Sequence, residues 1–408
     1  MKIALIADTF PPLRTSGAVQ LRDLSHEFVR QGHALTVMLP TAGLATPWLL
    51  EEVDGVQVLR LRAPKTKDIN NVQRTVHEFV MPFAMLRHLR QSLLGQERWD
   101  GVVWYSPSIF LGPLVSALKK ASRCKGYLIV RDHFPEWAAD VELMSRGGIP
   151  YRLLKAVAKY QYSVADVIGI QTQGNQAYVA HGSHESHGGP GSRIDVLQNW
   201  LADTPNVGCS VCVKDSPLAG RIILVYAGNM GVAQGMGVLL DLAERLRCKA
   251  DIGFLFVGRG SDVQRLRQDA HRRGLGNVAF YDEIDPVEIP GLYAQCHIGI
   301  VALDPRHTTH NIPGKFLSYM QAGLPVLASI NPGNDLEGMI LREGVGKVCT
   351  DQSVDTLQRM ALALVHEVSS DAGQTNGKLA VAKRCKALSD KLFSPTVAVR
   401  QIVDALQK

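Results

Sequence analysis

Nothing in these 408 residues approaches the ~20 consecutive apolar residues that a membrane-spanning helix needs. Cysteine is sparse and unpatterned. The seven residues are an odd number without framework spacing, which excludes a disulfide scaffold and fits a reducing cytosol. Cys209 and Cys212 form one C-x-x-C, but a zinc site needs a second pair and none follows. Aromatic residues make up only 6%, and no stripe of arginine and aromatic side chains marks a nucleic-acid platform. The charge excess, +6, is moderate and suits anionic small molecules or an anionic membrane surface. The opening Met1-Lys-Ile-Ala-Leu-Ile-Ala-Asp8 has too short an apolar run for a secretory signal and reads as a first strand. No internal repeat of solenoid length is present.

What is there is the composition of a soluble globular protein, 46% hydrophobic and 20% charged, in a chain long enough for two domains with their own cores. Short, nearly continuous apolar runs alternate with helical patterns, the rhythm of parallel α/β sheets. The first series holds runs at 2–7, 34–39, 56–61, 101–105, 126–130, 167–170 and 194–197. Residues from Asn199 to about Pro217 carry Pro, Asn, Gly and Ser without periodicity and read as a linker. The rhythm restarts at Arg221, with runs at 222–226, 252–257, 278–281 and 298–303. The predicted organisation is a first Rossmann-like domain over 1–199, a linker over 200–218, a second Rossmann-like domain over 219–390, and a helix over 391–408 that returns to the first domain.

The most informative stretch is Asn311-Ile-Pro-Gly-Lys-Phe-Leu-Ser-Tyr-Met-Gln-Ala-Gly-Leu-Pro-Val-Leu-Ala328. Pro313 and Gly314 open a helix whose first amides have no internal partner. Phe316, Leu317 and Met320 share its apolar face, Gly323 ends it, and Val326 begins a buried strand. Lys315 falls in the first turn, where the helix dipole disfavours a cation unless an anion lies between it and the free amides.

Glycine turns follow several strands. Ser16-Gly17 opens the first helix, and Gly228-Asn229-Met230-Gly231 follows the first strand of the second series. A backbone without Cβ atoms approaches a phosphate closely. The first turn lacks the G-x-G-x-x-G spacing, so a dinucleotide is not indicated. Arg259 stands in the turn Gly258-Arg-Gly260. Arg131-Asp132-His133-Phe134-Pro135-Glu136-Trp137 ends a strand, and ligands of open α/β sheets sit beyond strand carboxyl ends. Asp132 there is suited to orient a hydroxyl or take a proton, and His133 is expected to titrate near neutrality. Asp8, at the end of the first strand, and Glu136 are further polar candidates beside His133, a set that would lie on the acceptor side if the resemblance named below holds. His181, His184 and His187 lie in a Gly/Ser/His-rich stretch that reads as a solvated insertion, not a metal site. Residues 70–94 form a basic, apolar-faced helical segment, interrupted or kinked at Pro82, of a kind that packs on a core or lies on a membrane interface.

Two Rossmann-like halves, the glycine turns and Pro-Gly-Lys-x5-Met-x-Ala-Gly-x-Pro-Val together resemble the GT-B glycosyltransferases of family 4. The stretches 131–137 and 311–328, with Asn331-x-Gly-Asn-Asp335, resemble more narrowly the bacterial N-acetyl-L-fucosamine transferases of O-antigen, lipopolysaccharide and capsule assembly. The resemblance implies an α/β GT-B fold with two Rossmann-like domains facing across a cleft. It implies a retaining hexosyltransferase that takes UDP-N-acetyl-L-fucosamine as donor. The acceptor would be a saccharide linked to undecaprenyl diphosphate, met by a cytoplasmic protein on the periphery of the inner membrane. No cofactor and no metal are expected.

On this reading the catalytic residues are Asp132 and Lys315. The donor would be met by Ser16, Gly17, Gly228, Asn229, Met230, Arg259, His310, Asn311, Pro313, Gly314, Phe316 and Ser318. The chain departs from the family at four places. His310 and Ser318 stand where family 4 carries two glutamates, and Asn229 and Gln234 stand where many members carry arginine and lysine. The alternative is a GT-B protein that transfers nothing, either a nucleotide-sugar epimerase or an inactive scaffold.

Overall fold

The continuous apolar runs become the central strands of two parallel sheets, because a strand covered by helices on both faces has no polar side to present. The computed structural model describes residues 1–13, 15–140, 143–176, 179, 192–304, 311–369 and 377–408. They form two units, Met1–Trp200 together with Pro395–Lys408, and Leu201–Ser394.

In the first unit the strands are β1 (Lys2–Ile6), β2 (Ala34–Thr41), β3 (Trp48–Val53), β4 (Val56–Arg62), β5 (Gly101–Tyr105), β6 (Lys125–Ile129), β7 (Val167–Ile170) and β8 (Arg193–Val196). Their order is β3-β4-β2-β1-β5-β6-β7-β8. All pairs are parallel except β3, an edge strand running antiparallel to β4. The chain order reverses between β1 and β5, which makes that boundary the switch point of the sheet. One face is covered by helices Asn71–Gln91, Gly112–Ser122 and Ile149–Val164, which contribute Met81, Leu114 and Leu154 to a shared core. Of the interruption or kink expected at Pro82, the interruption is absent, since helix Asn71–Gln91 runs through it without a break.

Helix Ser16–Arg30 covers the other face, and beside it lies the last helix, Pro395–Gln407, with Val399 and Ile402 fully buried. The chain therefore returns to the first unit at its end. A Cβ on Gly101 would sit 2.7 Å from Leu406 Cδ1, so glycine in β5 is what admits this final helix.

The second unit has six parallel strands: β9 (Ile222–Ala227), β10 (Ile252–Val257), β11 (Val278–Tyr281), β12 (Ile298–Ala302), β13 (Val326–Ser329) and β14 (Gly346–Cys349). Their order is β11-β10-β9-β12-β13-β14, with the reversal between β9 and β12. The stretch read as linker lies against this unit. Val211, Val213 and Leu218 are buried in its core, and the Gln295 side chain bonds the Val211 carbonyl and the Val213 amide.

Helix Gly314–Ala322 is fixed over the β9/β12 boundary by Tyr319, whose hydroxyl lies 3.0 Å from the Val225 carbonyl and 3.2 Å from that of Ile300. Only glycine fits beneath the ring, because a Cβ on Gly299 would come within 2.4 Å of it. The helix ends at Gly323, which takes the left-handed conformation with φ of 73°.

Candidate functional site

The start of helix Gly314–Ala322 lies where open sheets bind ligands, beyond strand carboxyl ends at the switch point. Pro313 occupies the N-cap and supplies no side-chain acceptor. Among the described residues, nothing engages the amides of Gly314 and Lys315, while the Phe316 amide bonds the Pro313 carbonyl. Lys315 is part-buried, and its Nζ stands 4.5 Å from the centre of the Tyr226 ring. It has no hydrogen bond and no ion pair among the described residues. Burial holds its pKa down at about 8. Tyr226 is fully buried in β9, and its hydroxyl donates to the Asn229 carbonyl at 2.6 Å. One side chain thus supports the lysine and ties down the glycine turn.

That turn touches the lysine directly. A Cβ on Gly228 would lie 3.7 Å from Lys315 Cε and 3.8 Å from its Nζ. Gly258, with φ of 144°, passes so close that a Cβ there would fall 2.0 Å from the Gly228 carbonyl oxygen. The turns after β9 and β10 are joined by three bonds. The Gly228 amide donates to Val257, the Met230 amide to Arg259 and the Asp262 amide to Met230. Gln234 closes the first turn, its Oε1 accepting from the Gly231 amide at 2.9 Å and from Asn229 Nδ2 at 3.1 Å. Asn229 and Gln234 are a neutral, hydrogen-bonded pair. Among the described residues Lys315 is the cation set against the turn, and Arg259 sits further out, 78% exposed and 3.4 Å from Glu283.

Two expected donor contacts require correction. Phe316 has no exposed surface, its ring packs edge-on against Phe393 and its amide is taken, so it meets no ligand. The Met230 side chain is fully buried in the core, leaving only backbone at the turn. Ser318 lies one turn into the helix, with its hydroxyl 3.4 Å from the Gly314 carbonyl. Asn311 is part-buried just before the helix, and His310 lies outside the described residues, as do His181, His184 and His187. Sequence reasoning missed Tyr226 and Gly258. The signal for Tyr226 was an aromatic at the carboxyl end of the strand that enters the glycine turn.

In the first unit, the carboxyl edge brings together Asp8, Tyr105 and the loop after β6. Gly17 sits in the first turn of helix Ser16–Arg30, where a Cβ would meet Thr9 Cγ2 and the Tyr105 hydroxyl at 3.3 Å. Ser16 is exposed as the first residue of that helix, whose N-cap Thr15 accepts from the Ala18 amide. Asp132 is exposed, yet desolvation by surrounding protein raises its carboxyl above the usual range.

His133 corrects the expectation of a near-neutral titration. The ring is only 5% exposed, and burial lowers its pKa to about 4, so it is uncharged at neutral pH. Glu136 is buried and held by Lys155, which engages the carboxylate an acceptor would otherwise meet. Arg131 is anchored to the carbonyls of Leu197 (2.9 Å) and Gln198 (3.2 Å), with its guanidinium over the Trp200 ring. It positions the loop and does not face solvent. Among the described residues, no cluster of three His, Cys, Asp or Glu side chains is placed to hold a metal ion.

Residues 221–367 match the family described as Glycosyl transferases group 1. The fold is the α/β GT-B fold, with two Rossmann-like units. Among individual relatives, the chain is 23% identical over 338 residues to the probable glycosyltransferase WbjE of Pseudomonas aeruginosa, covering 81% of each protein. It shares its fold with sucrose-phosphate synthase of Thermosynechococcus elongatus at a TM-score of 0.66 and 15% identity, over 99% of this chain and 97% of that one. It shares it too with HepE of Anabaena, solved in complex with UDP-glucose, at a TM-score of 0.63 and 15% identity, over 100% and 99%.

Proposed function

We propose that this protein transfers a sugar from a UDP-sugar to a saccharide acceptor in the assembly of a bacterial surface polysaccharide. The observation that carries the reading is Lys315, an ammonium withdrawn from water with neither hydrogen bond nor ion pair among the described residues, beside two free amides and a glycine turn. An uncompensated cation in such a place is costly to the fold alone. A diphosphate supplies what is missing: two bridged anions for the lysine and the amides of Gly314 and Lys315. As the bond from the anomeric carbon to the diphosphate breaks, charge grows on the leaving oxygen. Preorganised donors already aimed there lower the barrier without reorganising. Asp132, exposed beyond β6, is the proposed partner of a sugar hydroxyl. The UDP-glucose held by HepE, of the same fold, supports a UDP-sugar as donor.

The finer reading takes UDP-N-acetyl-L-fucosamine as donor, a lipid-linked sugar diphosphate as acceptor, retention at the anomeric carbon and no metal. A thermal-shift panel of UDP-sugars tests the donor, because a ligand that binds only the folded state raises its melting temperature with affinity. The proposal requires UDP compounds to stabilise the protein and the product to keep the donor's anomeric configuration. No shift with any UDP compound overturns it.

Peripheral membrane attachment belongs to the same reading. Among the described residues, no helix is long and apolar enough to cross a membrane. Helix Asn71–Gln91 sets Val72, Val76, Val80 and Phe83 in one exposed row, followed by exposed Arg87 and Arg90. Apolar side chains with arginine beyond them are the components of an interfacial helix on anionic lipid. Flotation with vesicles containing phosphatidylglycerol tests this. Protein that stays wholly in the aqueous fraction counts against it.

A further inference from the structure

We infer that Asp8, with Glu78 and Arg74 beside it, is the place in the first unit where a hydroxyl of the acceptor sugar is held, an assignment that rests on the transferase reading above. Asp8 lies two residues beyond β1, at the switch point between β1 and β5. Its Oδ1 is buried, and among the described residues nothing donates to it. Burial raises its carboxyl above the usual range, against the opposing effects of Lys67, of a hydrogen bond from Asp8's own backbone amide and of Arg74, while Oδ1 itself stays without a donor among the described residues. Glu78 faces the same place from helix Asn71–Gln91. Its carboxylate accepts from Arg74 Nε at 2.9 Å, and it too is raised, first by burial and to a lesser degree by the charge of Asp8.

A buried carboxylate oxygen without a donor destabilises the fold, since the water it gave up is not replaced. Nothing about packing requires aspartate here, because its neighbours Ala7 and Phe10 fill the core without it. The missing donor is therefore one that arrives with a ligand. It must offer an O–H or N–H at the sheet edge and tolerate two carboxylates. A sugar hydroxyl meets both conditions, whereas a carboxylate ligand would be repelled. Exposed Lys67 forms no ion pair among the described residues, and with Arg74 it keeps this edge attractive to the oxygen-rich face of a saccharide. Asp8 is assigned here to holding the hydroxyl. No proton transfer to it is required.

The test uses the full chain with Asp8→Asn and, as a second variant, Glu78→Gln. The probes are octyl glycosides of glucose, galactose and N-acetylglucosamine, with binding read by saturation-transfer NMR, alongside UDP titration and melting curves. At least one glycoside should bind the native protein and bind Asp8→Asn about tenfold more weakly, the loss of one charge-assisted hydrogen bond. UDP affinity should stay unchanged, and the melting temperature of Asp8→Asn at pH 7 should be equal or higher. Glu78→Gln should weaken the same glycoside by less. Equal binding to native and Asp8→Asn protein, no binding of any glycoside to the native protein, or a lowered melting temperature overturns the assignment. Failure of the native protein to bind UDP would instead strike the transferase reading, leaving the glycoside comparison to stand by itself.

Discussion

The Lys315 ammonium lies 4.5 Å from the centre of the Tyr226 ring, and among the described residues that ring is its one charge-stabilising neighbour. A cation over an aromatic face gains some attraction, but much less than a carboxylate would provide. On the proposed reading the pair is a pre-set but incomplete anion site, and replacing the lysine tests that role. Lys315→Ala should lower transfer by about 100-fold, the usual effect of removing one transition-state donor. Lys315→Arg should retain more activity than Lys315→Ala if charge at this spot is what matters. Steady-state kinetics with the donor found by thermal shift decides. Full activity in Lys315→Ala excludes the diphosphate role.

The same lysine predicts two pH dependences. Its pKa is depressed to about 8 from the usual 10.5 by desolvation. Between those values the unfolded chain binds a proton that the folded one does not, so the contribution to stability rises with pH across that window and is lost as pH falls through about 8. Lys315→Met should therefore melt higher than the native protein at pH 7, and the advantage should shrink toward pH 10. UDP affinity should move the other way, weakening above pH 8 as the ammonium loses its proton. In Lys315→Met that pH dependence should be absent.

Gln234 separates the shape of the turn from its charge. Its Oε1 accepts from both the Gly231 amide and Asn229. Gln234→Ala removes the acceptor and should cost about 1 kcal/mol of stability, measured by denaturant unfolding. Gln234→Glu keeps an acceptor in place but adds a negative charge beside the proposed diphosphate. It should unfold like the native protein and bind UDP about tenfold more weakly. Equal losses of stability in both variants would show that the turn depends on more than this acceptor.

Much of the fold was legible because parallel strands advertise themselves. Apolar runs such as 2–6 and 252–257 end in glycine or aspartate, and each is followed by a helical face, so both α/β series emerge from periodicity alone. Strand β3 did not. Trp48–Val53 pairs antiparallel at an edge, is half exposed and reads as neither a buried run nor a helix. Its signal was the Asp54-Gly55 turn, with φ of 50° and 78°, a dipeptide that favours the tight hairpin joining β3 to β4.

The site was legible only in part. Pro313-Gly-Lys315 marked the helix start, but whether Phe316 points to ligand or core depends on Phe393, some 77 residues away in sequence. The titration of His133 likewise depends on burial that no local pattern reveals.

With His133 lowered to about 4 by desolvation, the unfolded chain takes up a proton near pH 6.5 that the folded chain refuses. Its contribution to stability is full above pH 6.5 and is lost as pH falls through about 4. His133→Gln should flatten that acid decline in melting temperature. Any limb in transfer rate between pH 6 and 8 should survive the substitution. A limb that disappears in His133→Gln would mean that the ring titrates near neutrality after all.

Two glycines with left-handed backbones test the interlocking of the turns that build the proposed donor edge. Gly274 has φ of 65° and open space where a Cβ would go, so Gly274→Ala should cost only the conformational penalty, about 1 kcal/mol. Gly258 has φ of 144°, and its Cβ would fall 2.0 Å from the Gly228 carbonyl oxygen, a backbone atom that cannot swing aside. Gly258→Ala must push the turns after β9 and β10 apart, with an expected loss of about 3 kcal/mol. Because Gly228 is the residue against Lys315, the damage should reach function as well. UDP affinity should fall in Gly258→Ala at temperatures where the protein is still folded and stay unchanged in Gly274→Ala, with calorimetric titration as the measurement. Unaltered UDP binding in a folded Gly258→Ala protein would show that the glycine turn is scaffolding only, and that Lys315 and the helix amides hold the diphosphate without it.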